Sequence, residues 1–494
     1  MRVAWLLGLF LLGACAGARP PGTVPSSDTA LQAALTRHIT VLASDEFEGR
    51  KPGTEGEAKT LRYLAREWQG MGLVSGTNDP ANPWFAPVDI ASSTPERSAV
   101  RFYRSGRTIA FPGDEAIVFA SRTRALVERA PVVFVGRKGG DLDNAALAGR
   151  VALMVWDHPD RAEQREALLR GGAAAVMAIV ENEAEFERLA SQRRDGSYRL
   201  AAVDGAGTLD GYISRAAVAS LLGPGRIDAL IRESRESNFR PIALDLAATL
   251  EAVSAPGTVR TFNLIAKLPG KRPDAGAVVL LAHWDHFGRC GTETDPAAVC
   301  NGAVDNASGL AVITEIARRL ATAPRLQRDV YFVATTAEEW GLLGAQAFAD
   351  NPPIPLDTII AAFNLDTVAV APRGSPVAIM GQGLTPLDPG IRQVLRETGR
   401  GEADGTLAQG YLRRQDGWAL LQRDVPAVSV TSAFASAEAL GKFETERYHQ
   451  PADKVDAVEL GGAIEDLHLT VELVRFFGDP ARWSGTAGKS ADAP

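Results

Sequence analysis

Four short segments of the chain, Val278–Ala282, Val330–Ala334, Ile359–Phe363 and Ala427–Val430, are apolar at nearly every consecutive position. A strand with one face in water alternates apolar and polar residues. A strand that is greasy on both faces needs cover on both, which a parallel sheet receives from its crossover helices. Gly309–Leu320 supplies an amphipathic helix between the first two runs, and Gly461–Phe477 supplies another at the end of the pattern. The expectation is an α/β fold with a mostly parallel central sheet flanked by helices. With 494 residues there is room for about two to four folding units.

The remaining texture divides the chain. Leu31–Leu73 reads as two helices, the second from Gly56 to about Trp68. From Ser98 to about Leu246 it changes to short strands and a helix, including Pro131–Val135, Val151–Val155, Arg161–Leu169 and Ala175–Val180. This predicts a small β-rich insert with its own core at 98–247, between a first part of the main domain at 29–97 and a second at 248–480. Residues 481–494 form a polar tail with no core to join.

The balance of 52 basic and 60 acidic residues leaves a charge of −8 with no basic run, which sets nucleic acid aside as a partner. Residues 1–15 have a single positive charge, Arg2, then an apolar stretch from Val3 to Leu12, too short to span a bilayer and shaped like an export signal. That stretch ends Leu12-Gly13-Ala14-Cys15, which resembles the bacterial lipobox, in which the cysteine is lipidated and becomes the mature N-terminus. The resemblance implies an exported, periplasm-facing protein held at the outer membrane through Cys15, with 16–28 as tether. An ordinary signal peptide that happens to contain a cysteine is the alternative. Cys290 and Cys300 then remain, and an oxidising compartment favours a disulfide between them over two free thiols or thiolate metal ligands.

In open α/β sheets ligands bind beyond the carboxyl ends of the strands. There this chain carries His283, Asp285 and His286 after the first run, Glu338 and Glu339 after the second, and Asp366 after the third. Gly302–Gly309, with Asp305 and Asn306, leads into a helix, and Tyr448, His449 and Asp453 lie downstream. Each has a bland reading, since Asp305 or Asn306 can cap a helix and a lone His is more often structural. Together, several carboxylates on one rim would repel one another unless a cation sat among them. Imidazole and carboxylate donors without thiolate suit zinc. Two His and three carboxylates fit two zinc ions, with a bridging hydroxide as nucleophile and Glu338 managing its proton. His38, His158 and His468 are left as structural. No Gly-x-Ser-x-Gly, His-Glu-x-x-His or Walker loop occurs.

His283-Trp284-Asp285-His286, Gly302–Gly309, Glu338-Glu339, Asn364-Leu365-Asp366 and Tyr448-His449 resemble, in order and spacing, the co-catalytic dizinc aminopeptidase family. Leu42–Arg50 is similar to that family's N-terminal segment, and the insert is similar to the protease-associated domain that such enzymes often carry, where a lid or substrate-selecting role is conceivable. The resemblance implies a zinc exopeptidase fold and two Zn2+. His283 and Asp366 would complete one zinc, Glu339 and His449 the other, and Asp305 would bridge them. Glu338 would be the general base, Asp285 would orient His283, and Tyr448 would donate to the oxyanion. Arg414-Gln415-Asp416-Gly417 departs from the Arg-Ser-Asp-His of many members, which puts substrate contacts there in doubt. Peptides are the implied substrates, cleaved at the N-terminus. A dipeptidase or carboxypeptidase of the same fold, and an inactive receptor-like binding protein, are the alternatives.

Overall fold

The computed structural model describes residues 27–137, 144–158, 160–194, 196–202, 208–291, 295 and 297–485. Cys15, the export signal, most of the tether and the last nine residues lie outside the described residues. Among the described residues no helix is long and apolar enough to cross a membrane. The chain separates into one unit of residues 1–88 and 261–494 and another of Asp89–Arg260. The second unit is wider than the 98–247 expected. Ser92–Pro95 and Ser254–Gly257 have the composition of turns, yet they lie inside the long strands Phe85–Arg104 and Ile242–Leu268.

In the first unit the sheet runs Ala378–Met380, Ala427–Thr431, Ile359–Asn364, Ala277–His283, Asp329–Thr335, and then the end of the Ile242–Leu268 strand. The three inner pairings are parallel and the two outer ones antiparallel. All four strands expected from the apolar runs are therefore here. Alternate residues of one strand feed different cores. Val278, Leu280 and Ala282 pack with the helices Asp28–Leu42, Gly309–Thr322 and Leu460–Phe477, whereas Val279 and Leu281 pack with Phe348 and Leu420 on the other face. Ala277–His283 lies between the strand that follows it and the strand after that, so successive connections leave it in opposite directions. This reversal opens a crevice at the carboxyl ends.

The second unit is richer in helix than expected. Strands Arg124–Gly136, Val151–Val155, Ala175–Val180 and Leu209–Ser214 are parallel neighbours, and Ala116–Ala120 closes the edge antiparallel. Val132 and Phe134 serve one core, Val133 and Val135 another, so both faces are covered. Helices Arg161–Arg170, Glu183–Arg194, Arg215–Leu222 and Pro224–Glu233 accompany them. The first of these is the helix expected over 161–169 and buries only Gln164 and Leu168; the other three were not expected.

Candidate metal centre

The strand ends bring the expected residues together. His283 closes Ala277–His283, Glu338 and Glu339 follow Asp329–Thr335, and Asp366 stands two residues beyond Ile359–Asn364. His283 Nε2 is 3.1 Å from Asp305 Oδ1 and 3.3 Å from Asp366 Oδ1. His449 Nε2 is 3.4 Å from the other oxygen of Asp305 and 3.0 Å from Glu339 Oε2. Asp305 thus offers one oxygen to each half of the site, and the halves are His283 with Asp366 and His449 with Glu339.

These separations test whether zinc fits. Zinc–nitrogen and zinc–oxygen bonds of about 2.0–2.2 Å at tetrahedral angles place neighbouring donor atoms about 3.3–3.6 Å apart. The four distances of 3.0–3.4 Å lie within a few tenths of that spacing. The groups His283–Asp305–Asp366, His283–Glu338–Glu339 and His286–Asp305–Glu339 each present donor atoms within 4.8 Å of one another. Electrostatics agree. Burial alone would lower the His449 imidazole, yet Glu339 and Asp305 outweigh it and hold the ring up at about 10. Burial would likewise raise Asp305, but His283 and His449 beside its two oxygens carry it well below the usual range. The carboxylates make a negative field that favours positive charge, which zinc would supply.

The scaffold under these donors is built from backbone contacts. Asn306 gives its amide to Leu365 O (2.9 Å) and accepts from Gly309 N (2.9 Å), tying the Asp305 loop to the Asp366 loop. Asp453 accepts from Val304 N and Asp305 N at 2.9 and 3.1 Å, so it supports the loop that bears Asp305. Arg50, fully buried, donates to the carbonyls of Leu42, Trp284, Asn301, Gly302 and Asp305. That guanidinium had no assigned role in the sequence reading. Its signal was a charged residue inside the Leu42–Arg50 segment.

Asp285 is placed differently from expectation. The Nδ1 of His283 lies 3.2 Å from the backbone carbonyl of Asp285 and 3.9 Å from its carboxylate, beyond hydrogen-bond reach. The carboxylate instead accepts from Glu338 N at 3.1 Å and Glu339 N at 3.4 Å. It therefore positions the paired glutamates, because the chain turns there immediately after the strand.

Glu338 faces a small cavity of about 30 Å³ together with Asp305, Asp366, Arg414, Tyr448 and the apolar walls Phe434, Leu440 and Phe443. Burial, with Glu339, Asp366 and Asp416 nearby, pushes its carboxyl well above the usual range against the pull of His283. Tyr448 stacks on His449 with ring centroids 3.6 Å apart, and its hydroxyl accepts from Arg414 at 3.1 Å. Burial and the charges of Asp305 and Glu339 raise its phenol, which stays protonated and able to donate. Asp416 accepts from the Thr335 hydroxyl and is pushed by burial to about 6. Cys290 and Cys300 form a disulfide, and Cys300 Sγ lies 3.5 Å from His449 O. His38 is bonded to Tyr63 and Glu315, His158 to Gln164 and His468 to Asp28, all away from the cluster.

Residues 263–472 match the family described as Peptidase family M28. Among solved structures, the aminopeptidase from Aneurinibacillus sp. strain AM-1 is 17% identical, covering 94% of this chain and 95% of that one with a TM-score of 0.56. A zinc aminopeptidase from Bacillus subtilis is 17% identical over 94% and 98%, with a TM-score of 0.46. A Peptidase M28 precursor from Shewanella amazonensis is 15% identical over 91% and 96%, also at 0.46. The first of these likenesses is one of fold. The segment that carries His283, Asp305, Glu338, Glu339, Asp366 and His449 is therefore similar to a peptidase family in sequence, and the architecture around it is that of an aminopeptidase structure.

Proposed function

We propose that the protein is a zinc-dependent exopeptidase that removes N-terminal residues from peptides. The observation that carries this reading is the pairing of His283 with Asp366 and of His449 with Glu339 across the two oxygens of Asp305. Two zinc ions held by these five residues would supply Lewis acidity and acidify a water at neutral pH. The chain supplies the rest. Glu338, its carboxyl pushed upward, is suited to take a proton from the attacking water and return it to the leaving amine. Tyr448, protonated and at the cavity wall, can donate to the oxygen on which charge develops. Phe434, Leu440 and Phe443 offer apolar surface to an apolar side chain. The presence of all five donors and Glu338 in one place weighs against a receptor-like protein that has lost turnover.

The test is hydrolysis of aminoacyl chromogenic amides beside N-blocked equivalents, on the form beginning after Cys15, with chelator and with zinc restored. Chelator-sensitive cleavage of only the free-amine compounds, with leucyl and phenylalanyl amides ahead of glycyl and aspartyl, is the expected result. Two bound zinc ions without cleavage would move the assignment to a dipeptidase or carboxypeptidase. A chain that binds no metal would end the enzymatic reading.

A further inference from the structure

His286 is fully buried beside the metal-ligating residues and has no part in the mechanism above. Its Nδ1 lies 2.6 Å from Glu339 Oε1, while Oε2 of the same carboxylate is the oxygen that faces His449 at 3.0 Å. The first distance is too short for two donors sharing one zinc, which stand about 3.3 Å or more apart, and is that of a strong hydrogen bond to a carboxylate. A carboxylate cannot donate, so Nδ1 carries the proton. Nε2 of the same ring has no hydrogen-bond partner.

The ring is held from several sides. Its backbone N–H donates to Arg50 O at 3.3 Å, and Phe287 packs edge-on against it at 5.2 Å. A Cβ on Gly302 would come within 2.8 Å of both His286 Cδ2 and Arg50 Nη2, so the ring fills the space under the loop that bears Asp305.

We propose that His286 is a positioning residue. By occupying Oε1 it makes Glu339 a one-oxygen ligand toward the metal position shared with His449, and it prevents the carboxylate from rotating into a two-oxygen mode. The inference rests on the dizinc reading and adds to it a residue outside the five donors. Ligand-orienting partners of this kind are worth about 10–100-fold in metal affinity.

The experiment is zinc titration of the metal-stripped full chain against a chromophoric chelator, with wild type, His286→Ala and His286→Asn, alongside visible absorption of the cobalt-loaded proteins. An asparagine amide can reproduce a donor at the Nδ1 position. The expected result is that His286→Ala weakens one of two sites about 10–100-fold and leaves the other intact. Its cobalt absorption should also weaken as Glu339 gains a second contact, with His286→Asn restoring both signals. Unchanged affinities and spectra in His286→Ala would overturn the proposal while leaving the dizinc reading standing. Loss of one ion outright in both variants would make His286 a ligand and also overturn it. No zinc on the wild-type chain would remove the dizinc reading and the proposal together. Thermal unfolding of the stripped variants checks that each is folded.

Discussion

Glu338 and Asp305 stand at neighbouring points of one cavity and have opposite relations to the metal, so their substitutions separate chemistry from binding. Glu338→Gln keeps the volume and removes the proton acceptor. Hydrolysis should fall about 10²–10⁴-fold while zinc content, read by atomic absorption, stays at the wild-type level. Asp305→Ala removes the oxygens facing both His283 and His449, and zinc should be lost along with activity. The residues at these positions were legible because unusual polar groups end apolar runs. The partner each one touches was not. Asp285 was expected to orient His283, and it holds the backbone of Glu338 and Glu339 instead. Both roles suit a carboxylate two residues after a histidine, and only the turn of the chain selects between them.

At the scale of elements, the Gly302–Ser308 loop and the Cys290–Cys300 disulfide lie against the donors. Gly302 has a φ of 59°, and a Cβ there would lie 2.1 Å from Asp305 O. Gly302→Ala therefore combines strain with a collision against the backbone of Asp305. It should weaken zinc binding and lower stability by about 2 kcal/mol or more, measured by urea unfolding. The disulfide pins the chain beside His449 O and the Asp45–Arg50 turn. Cys290→Ser should cost up to about 3 kcal/mol of stability, with the same loss on reducing the wild type. The four sheet strands and their covering helices were readable from apolar periodicity. In the second unit the helix Arg161–Arg170 was readable, whereas its borders were not, because turn-like residues sit inside its long strands, and the helices Glu183–Arg194, Arg215–Leu222 and Pro224–Glu233 were not read.

Across the whole molecule, the main unit is bound together by polar contacts between helices as well as by its cores. Glu315 is buried and accepts from His38 and Arg318, joining helices Asp28–Leu42 and Gly309–Thr322. Burial would raise its carboxyl, yet His38 and Arg318 hold it at about 2. A folded value below the unfolded one means that the stabilisation is complete above about pH 4.5 and disappears as pH falls toward 2. Its upper bound is about 3 kcal/mol. Glu315→Gln should lower stability at pH 7 by up to that amount and flatten the acid limb of a denaturation series from pH 5 to pH 2. An unchanged acid limb would assign acid sensitivity to other groups.

Apolar runs, helical periodicity and the polar residues that interrupt them were enough to determine the parallel sheet, its order of elements and the group of side chains at its carboxyl rim. Such patterns are local, and burial imposes them one strand or helix at a time. Tertiary structure alone decided that Asp453 supports Asp305, that Arg50 gathers five carbonyls under the site, and that His286 and His449 take different oxygens of Glu339. Those pairings join residues up to about 250 positions apart, where hydrogen-bond geometry of a few tenths of an ångström chooses the partner and sequence spacing carries no trace of it.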